Sequence, residues 1–196
     1  MFELCEELKV DKLYISHLVY SGRGKDNLEI DISKEQRRKY VEFIIDKAFE
    51  YYKNGNNIDL VTGNMEMDAI VLLDRFQKEY PDFVETLEQK LKAWGGNSAG
   101  HRLGNMDWAG NVKPDPFFPF VVGNYLETPF DKIWTSTSND ILNKLREHPR
   151  QIKGRCTQCK YIEICNGGSR SRAYAISGDL WEEDPSCYLT LEETRR

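Results

Sequence analysis

The chain has no long hydrophobic run. None approaches the ~18–20 consecutive apolar residues that a membrane-spanning helix requires, and a 30% charged content with a mean hydropathy of −0.62 agrees. It shows no export signal: the start, MFELCEELKVDKLYI, is acidic and mixed, without an apolar h-region. It has no surplus of positive charge. Lys and Arg number 27 against 32 Asp and Glu, a formal net charge of −5, which argues against nucleic acid as a main partner. Histidines are few, at three, and only one of the five cysteines lies outside a single stretch. There is no internal repeat and no low-complexity segment. These absences lead us to expect a cytoplasmic protein with reduced thiols, bound neither to membrane nor to nucleic acid. The 40% hydrophobic and 12% aromatic content over 196 residues suffices for a core in one domain or two small ones.

What is present is concentrated between Gly154 and Cys187. Cys156, Cys159, Cys165 and Cys187 follow the spacing C-x2-C-x5-C-x21-C. Three thiols within a short loop and a fourth closing the set can wrap one tetrahedral object. Four thiolates suit Zn²⁺ or an iron–sulfur cluster equally well on spacing alone. Disulfides conflict with the absence of an export signal, and chance free thiols would not cluster so tightly.

Along the chain, Lys12–Tyr20 (KLYISHLVY) reads as a buried strand ending in the loop Ser21-Gly22-Arg23-Gly24. Glycines there allow close approach of a ligand, and Arg23 can clamp a carboxylate or phosphate; an ordinary turn with a solvated Arg is the plain alternative. Ser33-x-x-Gln36 has the form of a capping box. The helix after it places Tyr40, Val41, Ile44, Ile45, Ala48, Phe49 and Tyr52 on one face, and Gly55 stops it. Ile58–Thr62 reads as a second strand ending in Gly63-Asn64. A helix with Ile70, Leu72, Leu73 and Phe76 follows, and a further one, capped by Asp82-x-x-Glu85, runs through Leu87, Leu91 and Trp94. Strand, helix, strand, helix, helix implies parallel strands with helices outside, and ligands in such folds sit at the carboxyl ends of the strands. Two parallel strands do not make a closed sheet, so an N-terminal portion is expected to be missing. Gly95–Gly100 reads as a flexible junction, dividing the chain into 1–95 and 96–196. His101–Phe118 reads as a hairpin turning at Ala109-Gly110-Asn111, with Pro114 and Pro116 making its second arm an edge. Ser138 is placed to cap a helix through Ile141, Leu142 and Leu145. Ser169–Ile176 is compatible with another helix, ended by Gly178, after which residues 181–185 loop back to deliver Cys187.

These pieces carry a resemblance. HLVYSGRG (17–24), VTGN (61–64), GGNSAG (95–100), GNVKPDPFF (110–118), GRCTQCKYIEIC (154–165), SRSRAYAISGDLW (169–181) and EDPSCYL (183–189) resemble radical S-adenosylmethionine (SAM) enzymes with a C-terminal SPASM/twitch auxiliary-cluster domain. Within them, the match is to the tetrapyrrole-modifying type of haem d1 (NirJ) and siroheme-route haem biosynthesis. The resemblance implies an α/β chain: the C-terminal part of a partial (β/α) barrel, 1–95, followed by a small α+β cysteine-rich domain, 96–196. It implies that Cys156, Cys159, Cys165 and Cys187 hold an auxiliary 4Fe–4S cluster, with N–H groups around Gly167-Gly168 tuning it. It implies a 12,18-didecarboxysiroheme-like tetrapyrrole substrate and a low-potential electron donor. SAM and a second 4Fe–4S cluster belong to the full-length enzyme, where cleavage of SAM gives a radical that abstracts hydrogen from a substrate side chain. The C-x3-C-x2-C motif for that cluster is absent here, Cys5 being alone, so this chain by itself is expected not to cleave SAM. Lys113 stands where the family has His. Asn97 and Asp115 stand where relatives of the last haem step have cysteines.

Residues expected to face substrate or SAM are His17, Tyr20, Gly22, Arg23, Gly24, Thr62, Asn64, Arg170 and Arg172, the arginines because guanidinium pairs carboxylates bidentately. Arg102 is a further candidate. The competing expectation for Arg170 and Arg172 is a structural bond to the acidic loop Glu182–Asp184, and for His17 a satisfied core position. Two other functions remain open: a SPASM peptide maturase, which should carry more cysteines, and a non-enzymatic zinc module.

Overall fold

The computed structural model describes residues 1–195. A short helix α1 (Phe2–Glu7) precedes strand β1 (Lys12–Ser16), helix α2 (Lys34–Lys53), strand β2 (Asp59–Gly63) and helices α3 (Asp68–Glu79) and α4 (Val84–Trp94). β1 and β2 pair in parallel, Lys12 opposite Asp59 and Ser16 opposite Gly63. The expected parallel βαβ unit is therefore present, and the chain is a mixed α/β structure. The capping box is present too: Ser33 Oγ accepts from the Gln36 amide and Gln36 accepts from the Ser33 amide. The second half follows in turn: strands β3 (Asn105–Met106), β4 (Asn111–Lys113) and β5 (Gly123–Asn124), helices α5 (Phe130–Trp134) and α6 (Asp140–Arg146), α7 (Ile162–Cys165), α8 (Arg170–Ser177) and α9 (Leu191–Thr194).

Several expectations are corrected. The first strand stops at Ser16, and its side chains are exposed or half-buried rather than buried, because the two-stranded sheet has no third strand among the described residues and only part of it is covered. His17–Tyr20 leave the sheet, and Val19 and Tyr20 are buried instead against the cysteine region. On α2 the buried tyrosine is Tyr51 (4% exposed), whose hydroxyl reaches Glu6, while Tyr52 is 85% exposed. Asp82 does not cap α4: it lies in a 3-10 turn, Pro81–Phe83, that leads into the helix. Asn139, not Ser138, caps α6, accepting from the Leu142 amide. β4 is the central strand between β3 and β5, and Pro114 and Pro116 fall beyond its end, so they cost it no ladder hydrogen bond. Ser169 caps α8 and Gly178 ends it in the left-handed region, as read from the sequence.

The main core joins α2 and α3 to the cysteine region: Val41, Ile45, Met67, Ile70 and Leu73 pack with Ile164, Cys165, Tyr188 and Leu189. A smaller cluster holds Phe118, Leu145 and Leu180. The segment Gly95–Gly100 is fitted closely at Gly96. Its φ is +70°, and a Cβ there would lie 2.4 Å from the Cys165 carbonyl oxygen, so only glycine lets this loop press on the end of α7.

Candidate metal centre and cavity

Cys156 lies in a 3-10 turn, Gly154–Gln158, and Cys159 follows it. Cys165 closes α7, and Cys187 sits in the loop turned by the Asp184 carbonyl accepting from the Cys187 amide. All are free thiols. Burial pushes Cys156 up to about 12, and the neighbouring Cys187 and Cys159 add to it. Cys165 is pushed up by burial despite a hydrogen bond from the Gly167 amide, and it feels Cys187, Cys156 and Cys159. Cys187 is raised by burial against Arg155 and the Leu189 amide. Cys159 and Cys165 are buried and Cys156 and Cys187 half-buried, and the four thiols lie near enough to influence one another's charge. Among the described residues, no three His, Cys, Asp or Glu side chains stand together as a grip for one metal ion. Thiols held protonated by burial need a local positive charge to become thiolates, and a bound metal centre supplies it. The donor set fits such a centre.

Three arginines fasten the fourth cysteine's loop. Arg155 bonds Glu183 at 3.0 Å and the carbonyls of Cys187 (3.0 Å) and Leu189 (2.6 Å). Arg170 donates to the carbonyls of Leu180 (2.8 Å) and Glu182 (2.5 Å), and to that of Gly167. Arg172 pairs bidentately with Asp184, Nη2 to Oδ2 at 2.8 Å and Nε to Oδ1 at 3.0 Å, and reaches the Leu18 carbonyl. Asp184 also accepts from the Ser169 amide at 2.8 Å, which brings its Oδ2 to 2.7 Å from where a Cβ on Gly168 would stand. Burial pushes the Asp184 carboxyl up, but Arg172 outweighs it and holds it below the usual range.

A ring of hydrogen bonds, closed through the backbone across Cys187, ties β1's end to the residues flanking that cysteine. Tyr188 donates to Asp68 (2.7 Å), which also receives His17 Nε2 (2.9 Å). Arg37 faces His17 Nδ1 (3.2 Å) and Asp31 (2.9 Å). Tyr20 donates to Asp31 (2.8 Å) and meets Ser186 (3.1 Å). Because a guanidinium only donates, Nδ1 of His17 carries the lone pair and Nε2 the hydrogen.

Beside this centre lies a cavity of about 1010 Å³ at the carboxyl end of β2. Its walls are largely apolar, from Tyr14, Phe49, Phe76 and Trp94, with Thr62, Asn64, Glu66, Asn97 and Asp115 as polar points. Burial raises Glu66, and pushes Asp115 up to about 6 against two backbone hydrogen bonds.

The residues singled out from the sequence divide among these places. Thr62 and Asn64 line the large cavity. His17 lines a separate one of about 410 Å³, with both nitrogens engaged in the ring, and Tyr20 is buried in the ring. Gly22 and Arg23 are exposed and lie on neither cavity's wall, and Gly24 packs on the Val19 carbonyl. Arg170 and Arg172 are 1% and 0% exposed and spend their donors on the protein, so the competing structural expectation describes them. Arg102 stacks 4.0 Å over Trp94. Whereas the Arg172–Asp184 pair realises the expected bond to the acidic loop, sequence reading missed Arg155, Arg37, Asp68 and Glu66. Arg155's place beside Cys156 was a usable signal; the partners of the others are far away in the sequence.

No protein-family model matches the chain. It is 40% identical over 99% of its length to the pre-heme d1 synthase of Dinoroseobacter shibae, covering 48% of that protein. It is 35% identical over 98% of its length to the Fe-coproporphyrin III synthase of Methanosarcina barkeri, covering 49%. The solved structure of native anSMEcpe with bound AdoMet and Cp18Cys peptide overlays 95% of this chain and 48% of that one, with a TM-score of 0.56 and 16% identity, a likeness of fold. The chain spans about half the length of the curated relatives it matches.

Proposed function

Because this chain is a homologue, over about half their length, of enzymes of haem synthesis, we propose that it is the auxiliary-cluster part of a radical SAM enzyme that alters side chains of a siroheme-derived tetrapyrrole. In this reading 1–95 is the C-terminal portion of the partial barrel and 96–196 the SPASM/twitch-like domain. Cys156, Cys159, Cys165 and Cys187 hold a 4Fe–4S cluster. When bound, the cluster supplies one-electron transfer. The chain's own residues do the rest. Arg155, Arg170 and Arg172 fix the loop of Cys187, the Gly167 and Leu189 amides point hydrogen bonds at sulfur, and the apolar cavity excludes water from a flat ligand. Cleavage of SAM and the second cluster belong to the remainder of such an enzyme, as does contact with a low-potential electron donor. The observation that carries the reading is the grouping of four free thiols, two buried and two half-buried, near enough to feel one another's charge.

The test is anaerobic reconstitution with iron and sulfide. About four iron per chain with a broad absorption shoulder near ~400 nm, both lost in Cys165→Ala, is the expected result. One zinc per chain and no shoulder would return the site to a structural zinc module.

A further inference from the structure

Two buried arginines beside the thiols have hydrogen bonds but no counter-charge. Arg150 is 2% exposed and Arg170 1%. Every donor nitrogen of the two guanidiniums meets a carbonyl or amide oxygen. Arg150 donates to the carbonyls of Leu145 (2.8 Å), Asn97 (2.9 Å) and Ala99 (3.2 Å), and its Nη1 reaches Asn97 Oδ1 (3.5 Å). Arg170 donates to the carbonyls of Gly168 (3.3 Å), Leu180 (2.8 Å) and Glu182 (2.5 Å), and to that of Gly167. Among the described residues neither forms an ion pair, whereas Arg155 pairs with Glu183 and Arg172 with Asp184. Carbonyl dipoles satisfy the donors without cancelling the charge, and a charge left unpaired in the interior is costly. A guanidinium does not escape that cost by losing its proton.

The nearby acids do not supply the partner. Asp184 is spent: its Oδ1 accepts from Arg172 and the Ser186 amide, its Oδ2 from Arg172 and the Ser169 amide. Glu66 gives Oε1 to Asn97 (2.9 Å), and its Oε2 has no partner among the described residues. Glu66 and Asp115 act on Arg150 without pairing with it, and burial opposes their own ionisation. The cysteines are placed to do it. The Arg150 amide donates to the side chain of Asn166, the residue after Cys165, at 2.7 Å. Arg170 holds the Gly167 carbonyl, and the Gly167 amide points at the Cys165 sulfur. Arg170 feels Cys156 and Cys165, and Arg150 feels Cys165. Protonated thiols offer these arginines no charge. Four thiolates around Zn²⁺ or an oxidised 4Fe–4S core, each a dication, keep two net negative charges.

We propose that Arg150 and Arg170 are the built-in counter-charges of the four-cysteine centre, positioning residues that act on it by their charge and raise the reduction potential of a cluster held there. The assignment rests on the reading of the four cysteines as one metal centre and adds what balances that centre's charge. An added electron makes the centre more negative, and a fixed positive charge in a poorly polarisable interior favours that state. Arg155 and Arg172 differ, because each brings its own carboxylate and presents a dipole instead of a charge.

The experiment is a potentiometric titration of the anaerobically reconstituted protein, with dithionite and redox mediators as the electron source and electron paramagnetic resonance of the reduced cluster as the readout. Arg170→Gln, which keeps a donor and loses the charge, should lower the midpoint by about tenfold in the reduction equilibrium, ~59 mV for one electron. Arg170→Lys, which keeps the charge and loses the fork, should stay close to the wild type. Lys153→Gln, which removes an exposed cation paired with Asp179, should not move it. The inference is overturned if Arg170→Gln keeps the wild-type midpoint, or if Arg170→Lys falls as far as Arg170→Gln, which would make the hydrogen bonds and not the charge the cause. Should Arg170→Gln fail to fold, Arg150→Gln and Arg150→Lys, on a different segment, carry the same expectation. If reconstitution yields one zinc per chain, the cluster reading fails, yet the counter-charge is still decided by competition for zinc with a chelator. Binding about tenfold weaker in Arg170→Gln but not in Arg170→Lys would support it, and equal affinity in all three proteins would overturn it. If the chain takes up neither centre, the reading and the counter-charges fall together.

Discussion

Arg172 is 0% exposed and Tyr14 is 58% exposed. Around Cys187 charged side chains lie inside, while along β1 aromatic and aliphatic ones lie outside. The two regions lack different things. The run from Gly154 to Leu189 is mostly turns and short helices, whose carbonyls find few partners in regular ladders, so buried arginines supply the donors. The strand pair has its ladder and its apolar side chains but too few neighbours to cover them, and its open face becomes the wall of a cavity. Closure by polar bonds fixes the loops that carry the cysteines, and incomplete apolar closure leaves a cavity.

The comparison breaks if the cysteine loops are no more sensitive than the open sheet. Arg172→Ala leaves Asp184 buried and unpaired, and should cost about 3–5 kcal/mol of stability in a urea titration. Arg23→Ala, in the exposed loop after β1, should stay within about 0.5 kcal/mol. Equal losses would contradict the account. A pH series sharpens it. Asp115 keeps its proton up to about 6 in the native state against 3.8 unfolded. The native protein therefore binds more protons across that window, and its stability should fall by roughly 2–3 kcal/mol as pH rises through it, then level off. Asp115→Asn should lack that slope, and a variant with the wild-type slope would show that the cavity wall is wetter than it looks. A smaller loss than that of Arg172→Ala lies in the first half. Ser33→Ala removes the cap of α2 and should lower the urea midpoint by the equivalent of about 1 kcal/mol, leaving metal uptake at the thiols unchanged.

Much of this was legible from local patterns. The Ser33–Gln36 box and the glycine stop after α8 follow from spacing within a few residues, and the parallel strand pair from the order of strand, helix and strand. The four cysteines declare themselves by number and interval. What stayed hidden depends on partners far away in the chain. The pairing of Tyr188 with Asp68 spans 120 residues, and nothing near Glu66 announces that Asn97 will take one of its oxygens and leave the other. The burial of Tyr51 in place of Tyr52 depended on Glu6 from α1, a contact that helical periodicity alone does not contain. Glycine was misread in one place for a related reason. The run 95–100 has a linker's composition, yet Gly96 is there because the Cys165 carbonyl leaves no space for a methyl group.

The ring that joins β1 to the flanks of Cys187 has a fixed polarity. Asp31 receives hydrogens from Tyr20 and Arg37, and Asp68 receives them from His17 and Tyr188. Each carboxylate is a terminus fed from both sides, and Arg37 gives in two directions and takes in none. The bonds therefore gather at two fixed charges, Asp31 and Asp68, each of which ties two separate stretches of chain to one point. The ring is a latch, and removing either carboxylate would free the strand end and the loop of Cys187 from each other.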